Sequence, residues 1–383
     1  MLDTWCTTMT PFDGGMFVIT GDIPAMWLRD SSAQVWPFLR LAHVGQVASV
    51  LRQIVRTQWW FINLDPYANA FNASPSGAHG DPTDLPMHPR VWERKYEIDS
   101  LAFPVQLAYD LWRVTGDSGH LGANVHRGCR TIVDLWRREQ RHFEASDYRH
   151  VRGSIPADTL GEDGRGTPVA VTGMTWSGFR PSDDACEFGY NIPAQLMAVK
   201  ALRLIGEFAE LWQDADLARD AAQLATEIDR GVAEYGVFGG RFAYEVDGLG
   251  GRLFMDDANM PSLLSLPLTS DVAVDDPRYL ATRKWVLSPD NPFFYRGSFA
   301  EGVGSPHTPE GYVWHIGIAV QGLTGSPEEG RACLETILAT DGGTGWTHEG
   351  FDPSDPTRFT RPWFSWSNSM ACELMMHLVD PGW

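Results

Sequence analysis

The sequence predicts an all-α protein in which antiparallel helix hairpins close into a toroid. Apolar residues recur three and four positions apart in roughly eleven segments, which is the spacing of amphipathic helices. Strand signals are few, and no alternation of strands with helices indicates a parallel sheet. The chain has 383 residues, enough for six hairpins of about sixty residues each. We therefore expect a ring of helix pairs with long loops at one end.

Periodicity and capping residues define the predicted helices in chain order. The clearest amphipathic face runs from Leu217 to Val232, with apolar side chains three and four residues apart. A capping box starts another helix, with Ser326 as N-cap, Pro327 at the first helical position and Glu329 as the reciprocal partner. The predicted segments are 31–43, 45–60, 96–115, 119–142, 190–210, 216–235, 258–268, 277–286, 309–323, 326–340 and 361–379.

The remaining segments complete the predicted architecture. Residues 242–246 and 252–254 form a small β-hairpin around Asp247-Gly248. Eleven helices leave a ring of six pairs one helix short, and the chain opens with a loop-like stretch at 10–15, so we expect an N-terminal helix to be lacking. Because the sequence shows neither a linker nor an internal repeat, residues 1–383 are predicted to form a single catalytic domain.

Composition and charge limit the cellular compartments and the classes of binding partner that we expect. With 43% hydrophobic residues and no run long enough to span a bilayer, we expect a soluble globular chain. The net charge of −19 disfavours contact with nucleic-acid phosphates and with anionic membranes. An odd number of widely spaced cysteines and the lack of a secretory signal at the start predict reduced thiols and a cytoplasmic location. The cysteines are Cys6, Cys129, Cys186, Cys333 and Cys372.

Four loops combine carboxylates, arginine or histidine with aromatic residues, where a plain connection would carry small turn formers. They span residues 20–31, 177–184, 254–260 and 346–351. Taken singly, Asp30, Asp183 and Asp257 have capping of a helix start as the commoner role. Caps alone do not explain why the same loops are also rich in arginine and tryptophan. These loops are therefore predicted to form a binding site.

The sixteen tryptophans indicate what such a site binds. Sugar rings present faces of C–H bonds that stack on indole, while their hydroxyls take hydrogen bonds from Asp, Asn and Arg. Trp27, beside Arg29 and Asp30, offers both kinds of contact. Other tryptophans lie inside helical patterns and are expected to pack in the core, namely Trp112, Trp136 and Trp212.

Cleavage of a glycoside needs one carboxyl group that protonates the leaving oxygen and another that activates water or attacks the anomeric carbon. Asp183 or Asp184, together with Glu349, supplies such a pair from two loops. Two adjacent aspartates raise the pKa of one of them and so hold a proton near neutral pH. In the structural alternative Asp183 caps a helix and Asp184 pairs with Arg180.

Other chemistries lack their usual sequence marks. The chain has no Walker-type phosphate loop, no H-E-x-x-H, no EF-hand loop and no G-x-S-x-G. The histidines are scattered without the paired spacing of metal ligands, so no metal and no cofactor is predicted.

Long stretches of the chain resemble glycoside hydrolase family 125, the metal-independent exo-acting α-1,6-mannosidases. The similar stretches are GDIPAMWLRDSSAQ (21–34), YEIDSLAFPVQLAY (96–109), GFRPSDDACEFGYNIPAQ (178–195), MDDANMPSLLSLP (255–267), TPEGYVWHIGIAVQGL (308–323) and HEGFDPSDPTRFTRPWFSWSNSM (348–370).

The resemblance implies an (α/α)6 barrel and an inverting hydrolase that removes terminal, non-reducing α-1,6-linked mannose from glycans without a cofactor. It implies that an aspartate of the SDD motif, Asp183 or Asp184, is the general acid and that Glu349 is the general base. Inversion leaves room for water, so the two carboxyl groups are expected roughly 6.5–9.5 Å apart. The residues implied to hold the terminal sugar are Trp27, Arg29, Asp30, Arg180, Asp257, Asn259 and His307.

Two other classes remain as alternatives. A sugar epimerase or isomerase on a similar helical barrel would use histidines as acid and base. A catalytically silent carbohydrate-binding protein would bind the sugar without turnover.

Overall fold

The computed structural model describes residues 1–382, and its helices follow one another around a ring. The helices are α1 (Leu28–Ala33), α2 (Gly45–Leu64), α3 (Ile98–Thr115), α4 (Ala123–Glu139), α5 (His142–Ala145), α6 (Gly161–Gly164), α7 (Ile192–Trp212), α8 (Ala215–Tyr235), α9 (Leu266–Thr269), α10 (Pro277–Val286), α11 (His315–Leu323), α12 (Pro327–Ala339) and α13 (Ser365–Val379). Trp36–Leu41 and Pro156–Asp158 are 3₁₀ helices, and Thr4–Thr8 is a π-helical turn.

The helices fall into an inner and an outer set. Most residues of α3, α7 and α11 are buried, whereas α4, α8 and α12 bury one face and expose the other. Consecutive members pack as hairpins, with α7 against α8 and α11 against α12. The last helix, α13, packs against both α11 and α1, which closes the ring. This arrangement is the predicted (α/α)6 toroid of antiparallel hairpins.

Local capping explains where several of these helices begin. The Asn191 side chain accepts a hydrogen bond from the Ala194 amide at the start of α7, and Asp214 caps α8 in the same way. Ser326 accepts from the Glu329 amide at 3.3 Å, with Pro327 as the first residue of α12. The predicted N-cap at Ser326 is therefore confirmed, whereas the Glu329 carboxylate accepts hydrogen bonds from Arg283 and Gln321.

Three predicted helices differ from the structure. The segment 309–323 becomes helical only at His315, because residues 313–314 pair in a sheet. The segment 31–43 is divided between α1 and a 3₁₀ helix, because Pro37 lacks the amide that would continue an α-helix and restricts the residue before it. The segment 258–268 is wrong as a helix except for its end in α9. There the buried Asp256 carboxylate accepts hydrogen bonds from the amides of Leu263 and Leu264, which holds the chain in a turn instead.

Short strands form small sheets at the loop end. The strands are β1 (Met9–Phe12), β2 (Gly15–Val18), β3 (Met26–Trp27), β4 (Ala70–Phe71), β5 (Val91–Glu93), β6 (Tyr190–Asn191), β7 (Val237–Phe238), β8 (Arg241–Phe242), β9 (Glu245–Val246), β10 (Arg252–Leu253), β11 (Phe294–Arg296), β12 (Glu301–Val303), β13 (Val313–Trp314), β14 (Gly350–Asp352) and β15 (Asp355–Phe359). Three of the sheets have three antiparallel strands, in the orders β3-β4-β5, β10-β9-β6 and β13-β14-β15.

These three sheets share one design that positions the site. In each of them a two-residue strand leads directly into an inner helix, with β3 before α1, β6 before α7 and β13 before α11. The pairing of these strands therefore fixes where the N-terminal ends of the inner helices lie. The predicted hairpin is confirmed as the pairing of β9 with β10, while Phe242 belongs to the neighbouring β7–β8 hairpin. The chain before α1 forms the π-helical turn and the β1–β2 hairpin.

A continuous hydrophobic cluster extends from Phe12 near one end of the chain to Leu374 in α13. The tryptophans predicted to be core residues belong to this region. Trp136 is fully buried, and Trp112 and Trp212 pack against the cluster from its edge. A smaller apolar cluster of Ala25, Trp27 and Ala70 lies apart from the main cluster.

Candidate active site

A cavity of about 170 Å³ that opens to solvent lies at the N-terminal ends of α1, α11 and α13. Trp27 and Trp314 precede α1 and α11, and Phe364 precedes α13. The positive ends of these helix dipoles favour negative charge in the cavity. Its lining residues are Thr20, Ile23, Trp27, Arg29, Asp30, Pro181, Ser182, Asp183, Asn259, His307, Trp314, Glu349, Arg361, Phe364 and Trp366.

Asp183 enters the cavity from a tight turn. The Asp183 amide donates to the Arg180 carbonyl, and the Arg180 amide donates to the Asp184 carbonyl. Asp183 itself has a φ of 69°, in the left-handed region that aspartate tolerates better than most residues. No helix begins at this position, since α7 starts at Ile192. The turn leaves the Asp183 side chain about one-quarter exposed, with 23% of its surface accessible.

Arg29, from the first turn of α1, connects Asp183 to carboxylates of the α3 start. Its Nη2 atom lies 3.1 Å from Asp183 Oδ1, and its Nη1 atom lies 2.7 Å from Glu97 Oε2 and 3.0 Å from Asp99 Oδ2. The Asn69 amide nitrogen approaches the same group, at 3.4 Å from both Asp183 Oδ1 and Glu97 Oε1. Each of these contacts joins elements that are far apart in the sequence.

Burial and this charge network shift the pKa values of the carboxyl groups. Burial raises the pKa of Glu97 well above its ordinary value, against the attraction of Arg29. Burial acts in the same direction on Asp183, but Arg29, Lys95 and a hydrogen bond from Glu97 outweigh it and lower its pKa. Burial also raises the pKa of Asp30 to about 6, although Arg29 and Arg361 oppose this effect.

Asp184 points to a different partner from Asp183. Its Oδ1 atom lies 3.0 Å from Nδ1 of His307, which is itself a lining residue. Burial opposes protonation of His307, but the hydrogen bond and charge of Asp184 outweigh it and raise the pKa of His307 to about 9. His307 is therefore an imidazolium near neutral pH.

Arg180 and Asp257 lie behind the cavity wall. Arg180 pairs through Nε with the buried Glu245 of β9, and not with Asp184. Asp257 is fully buried and accepts a hydrogen bond from the Asn259 amide at 3.2 Å. Burial and the nearby charge of Asp184 raise the pKa of Asp257.

Glu349 lines the same cavity from a different part of the chain, one residue before β14. It is 8% exposed, and its Oε1 atom lies 3.8 Å from Nη1 of Arg361. Arg361 also binds the Asp22 carboxylate and the Thr20 hydroxyl, and its guanidinium lies 4.2 Å from the centre of the Phe364 ring. This arginine therefore joins the segment between β15 and α13 to the chain before β3.

The residue before Glu349 is fixed on several sides. The His348 amide donates to Nδ1 of His315 at 2.9 Å, and the Ser367 hydroxyl donates to the His348 carbonyl at 3.0 Å. The His348 ring stacks on Phe359 at a centroid distance of 3.6 Å. Burial lowers the pKa of His315 to about 4, so its imidazole is neutral and can accept the amide proton.

Aromatic rings supply the apolar part of the cavity. Trp27, Trp314, Phe364 and Trp366 all line it. The Nε1 atom of Trp27 has no hydrogen-bond partner among the described residues, whereas Trp314 Nε1 donates to the Thr308 hydroxyl at 2.9 Å. A cavity with both aromatic faces and carboxylates suits a sugar ring.

The structure brings together most of the residues singled out from the sequence. Arg180, Asp184 and Asp257 are not among the lining residues and lie behind them. Of the residues singled out from the sequence, those that line the cavity are Trp27, Arg29, Asp30, Asp183, Asn259, His307 and Glu349.

Sequence reasoning missed several residues of the site. Glu97 and Asp99 lie at the start of α3, within the similar stretch 96–109, and Arg361 and Trp366 lie within 348–370. The similarity of these stretches to the family could have pointed to these residues. Acidic residues at a helix start, however, usually have the structural role of complementing the helix dipole. Asn69 lay outside all of the similar stretches.

A ring of helix hairpins with three carboxylates and an aromatic lining in a cavity at its loop end is typical of glycoside hydrolases of the helical-barrel class. The family model described as metal-independent alpha-mannosidase (GH125) matches residues 1–376. The chain therefore belongs to the GH125 family of metal-independent α-mannosidases.

Individual relatives agree with this assignment. A structure from Streptococcus pneumoniae, of a metal-independent alpha mannosidase in a non-productive substrate complex with alpha-1,6-mannobiose, is 43% identical, with a TM-score of 0.97 over 99% of this chain and 92% of that chain. The meiotically up-regulated gene 157 protein of Schizosaccharomyces pombe is 37% identical over 391 aligned positions, covering 95% of this chain and 76% of that protein.

A more distant structure shares the fold alone. The glucoamylase from Saccharomycopsis fibuligera has a TM-score of 0.62 at 12% identity, over 96% of this chain and 90% of that chain. Within the described residues, no helix is both long enough and apolar enough to cross a bilayer.

Proposed function

We propose that the protein is an inverting exo-α-1,6-mannosidase that removes terminal non-reducing mannose from mannose-containing glycans. The observation that carries this proposal is that Asp183 and Glu349, from distant parts of the chain, line one cavity with aromatic walls. The 43% identical relative in complex with alpha-1,6-mannobiose supports the choice of linkage.

Glu349 is the general base in this proposal, and it removes a proton from the water that attacks the anomeric carbon. Asp183 is the general acid that protonates the departing oxygen. We favour Asp183 over Asp184 because Asp183 lines the cavity, whereas Asp184 lies behind it and binds His307. The contact with Asp184 keeps His307 charged and oriented beside the sugar.

The terminal mannose is held by groups that combine stacking with hydrogen bonds. Trp27 offers an indole face, and Asp30, Asn259 and His307 offer polar atoms at the cavity surface. Arg180 and Asp257 support these groups from behind, through Glu245 and through the backbone of Asn259. Arg29 orients Asp183 directly.

We also propose that residues 1–383 act as one catalytic domain in the cytoplasm. The continuous hydrophobic cluster from Phe12 to Leu374 supports one domain. The five cysteines are all free, which suits a reducing compartment.

Proton NMR of the first sugar released from α-1,6-mannobiose tests the mechanism. An inverting enzyme releases β-mannose first, and the α form grows only as the product equilibrates in water. The early appearance of α-mannose would contradict inversion. Failure to release mannose at all would leave the silent binding protein as the better account.

Chelation tests whether a metal takes part. We expect turnover of α-1,6-mannobiose to be unchanged after treatment with EDTA, because the acid and base are both carboxyl groups in this proposal. Activity that is lost with EDTA and restored by calcium would contradict a mechanism that depends on Asp183 and Glu349 alone.

A further inference from the structure

One guanidinium, that of Arg29, is surrounded by an excess of buried carboxyl groups. Its nitrogens lie 2.7 Å from Glu97, 3.0 Å from Asp99, 3.1 Å from Asp183 and 3.7 Å from Asp30. The accessible fraction of these side chains is 0% for Glu97 and 1% for Asp99. Like charges this close in a buried site cannot all be ionised without a large electrostatic penalty.

The neighbouring cations, Lys95 and Arg152, form ion pairs with other carboxylates. Lys95 lies 3.0 Å from Asp158 and 3.8 Å from Glu93. Arg152 binds the same two carboxylates and also Asp84. The cluster around Arg29 therefore favours the retention of a proton. The charged and titratable groups that face it are Asp30, Glu93, Lys95, Glu97, Asp99, Asp183, Asp184, His307, Glu349 and Arg361.

The geometry indicates where this proton lies. Glu97 Oε2 already accepts hydrogen bonds from Arg29 at 2.7 Å and from the Ser100 hydroxyl at 2.7 Å. Its other oxygen, Oε1, lies on the side of Asp183, since the Asn69 amide nitrogen is 3.4 Å from both Glu97 Oε1 and Asp183 Oδ1. Arg29 and Asn69 each contact both carboxyl groups, so Glu97 and Asp183 are neighbours, and a hydrogen bond between two such groups requires one of them to be protonated.

The opposite pKa shifts agree with this placement. Burial raises the pKa of Glu97, while Arg29, Lys95 and the hydrogen bond from Glu97 overcome burial and lower the pKa of Asp183. In the resting enzyme the shared proton is therefore on Glu97, and the cavity carboxylate Asp183 is its acceptor. A general acid that is ionised at rest needs such a donor beside it.

We propose that Glu97 is a positioning residue that stores the proton which Asp183 delivers to the glycosidic oxygen. This inference rests on the proposed function. Glu97 passes its proton to Asp183, and Asp183 passes it to the leaving oxygen, which keeps the electron pair of the broken bond to the anomeric carbon. Glu349 takes one proton from the attacking water, whose oxygen forms the new bond. After release, Glu349 loses that proton to solvent and the Glu97–Asp183 pair takes one up.

The substitution Glu97→Gln tests this role. Glutamine keeps the size of the side chain and an N–H donor toward Asp183, but it has no proton to give. We expect kcat/KM for α-1,6-mannobiose near pH 7 to fall about tenfold or more, with the alkaline limb of its pH profile moved down by about one pH unit or more. Turnover of α-mannosyl fluoride, whose leaving group needs no proton, should stay within about threefold of wild type.

Asp99→Asn is the matched control. It removes a carboxyl group from the same nitrogen of Arg29, also at the start of α3, but within the described residues Asn69 bridges Glu97, and not Asp99, to Asp183. We expect Asp99→Asn to move the alkaline limb of the pH profile by less than half the shift that Glu97→Gln causes. Glu97→Asp, which keeps an ionisable carboxyl group, should restore the limb to within about half a pH unit of wild type.

Three results would overturn the inference. The first is an unmoved alkaline limb in Glu97→Gln, the second is an equal shift in Asp99→Asn, and the third is an equal loss of turnover for the fluoride and the disaccharide. If Glu97→Gln does not fold, carbon-13 NMR of glutamate-labelled wild type decides, because a buried glutamate carboxyl group should remain protonated at pH 7. A spectrum without a protonated glutamate carboxyl group at pH 7 would contradict the inference. Wild-type enzyme that turns over neither substrate would instead refute the proposed function.

Discussion

The two sides of the cavity hold their carboxylates by different means. The acid wall consists of Asp183 with Arg29, Asn69, Glu97 and Asp99, and it is held by contacts between charged or polar side chains. The base wall consists of Glu349 with His315, His348, Arg361 and Ser367, and it is held mainly through the backbone of His348.

This difference follows from the tasks that we propose for the two walls. The acid wall must keep a proton available to Asp183 near neutral pH, so its environment is set by burial and by several neighbouring carboxyl groups. A general base must be ionised and aimed at a water molecule, so the position of the chain that carries it matters more. Charge is therefore the sensitive property of the acid wall, and geometry is the sensitive property of the base wall.

The largest expected effect comes from the base itself. Glu349→Gln should lower kcat for α-1,6-mannobiose by at least about 10³-fold, because the amide cannot take a proton from water. Binding of the disaccharide, measured by calorimetry, should change little. Glu335→Gln, at an exposed position of α12, is the matched control and should keep full turnover. Normal turnover by Glu349→Gln would remove this residue from the mechanism.

Removing the central cation should damage the acid wall in a way that depends on pH. Arg29→Met leaves buried carboxyl groups without their cation, so we expect a loss of about 3–5 kcal/mol in the free energy of unfolding. The loss should shrink as the pH falls, because the carboxyl groups then become neutral. Urea unfolding across pH measures it. Arg219→Met, at an exposed ion pair with Asp216, should change stability little, and an equal effect there would contradict the account.

The base wall should respond through position. Arg361→Met removes the cation 3.8 Å from Glu349 and the link to Asp22, so we expect kcat to fall about 10- to 100-fold. Steady-state kinetics with α-1,6-mannobiose measures this change. The control, Arg358→Met, alters an exposed arginine of β15 that pairs with Asp352, and its kcat should equal that of wild type. Equal losses in both variants would indicate general disruption of the β14–β15 ribbon.

Two histidines should give the smallest effects, with opposite dependence on pH. The pKa of His307, raised to about 9 in the folded state from 6.5, gives a contribution to stability that is complete below pH 6.5 and is lost as the pH rises through 9. The pKa of His315 is lowered to about 4 in the folded state. Its contribution to stability is therefore present above pH 6.5 and is lost as the pH falls through 4.

Melting temperatures measured across pH separate the two histidines. The deficit of His307→Gln relative to wild type should shrink toward pH 10, and the deficit of His315→Gln should shrink toward pH 4. The same pH trend in both variants would contradict the assignment of a charged His307 beside Asp184 and a neutral His315 in the base wall.

The sequence predicted the long helices well because their stability comes from a repeating apolar face. It failed at 258–268, where Asp256 binds backbone amides seven and eight residues ahead, since such a contact has no periodic signal. The two-residue strands β3, β6 and β13 were also missed, because alternation needs a longer run to be visible.

For the site, the sequence identified the carboxylates of the cavity but not what surrounds them. Asp183 and Glu349 could be predicted from the chemistry, because glycoside cleavage needs two carboxyl groups. Glu97 sits at the start of α3, where an acidic residue has an ordinary structural explanation. Its position beside Asp183, through the shared contacts with Arg29 and Asn69, depends on the closure of the ring, which no local pattern reports.

The most direct test of the central claim compares two substrates in two variants. α-1,6-Mannobiose needs both acid and base, whereas α-mannosyl fluoride needs only the base. We predict that Asp183→Asn loses at least about 10³-fold in kcat/KM for the disaccharide but stays within about tenfold of wild type for the fluoride, while Glu349→Gln loses both activities. The account would be contradicted if Asp183→Asn lost both activities while Asp184→Asn or Asp30→Asn kept the fluoride activity. That result would assign the role of the acid to another aspartate.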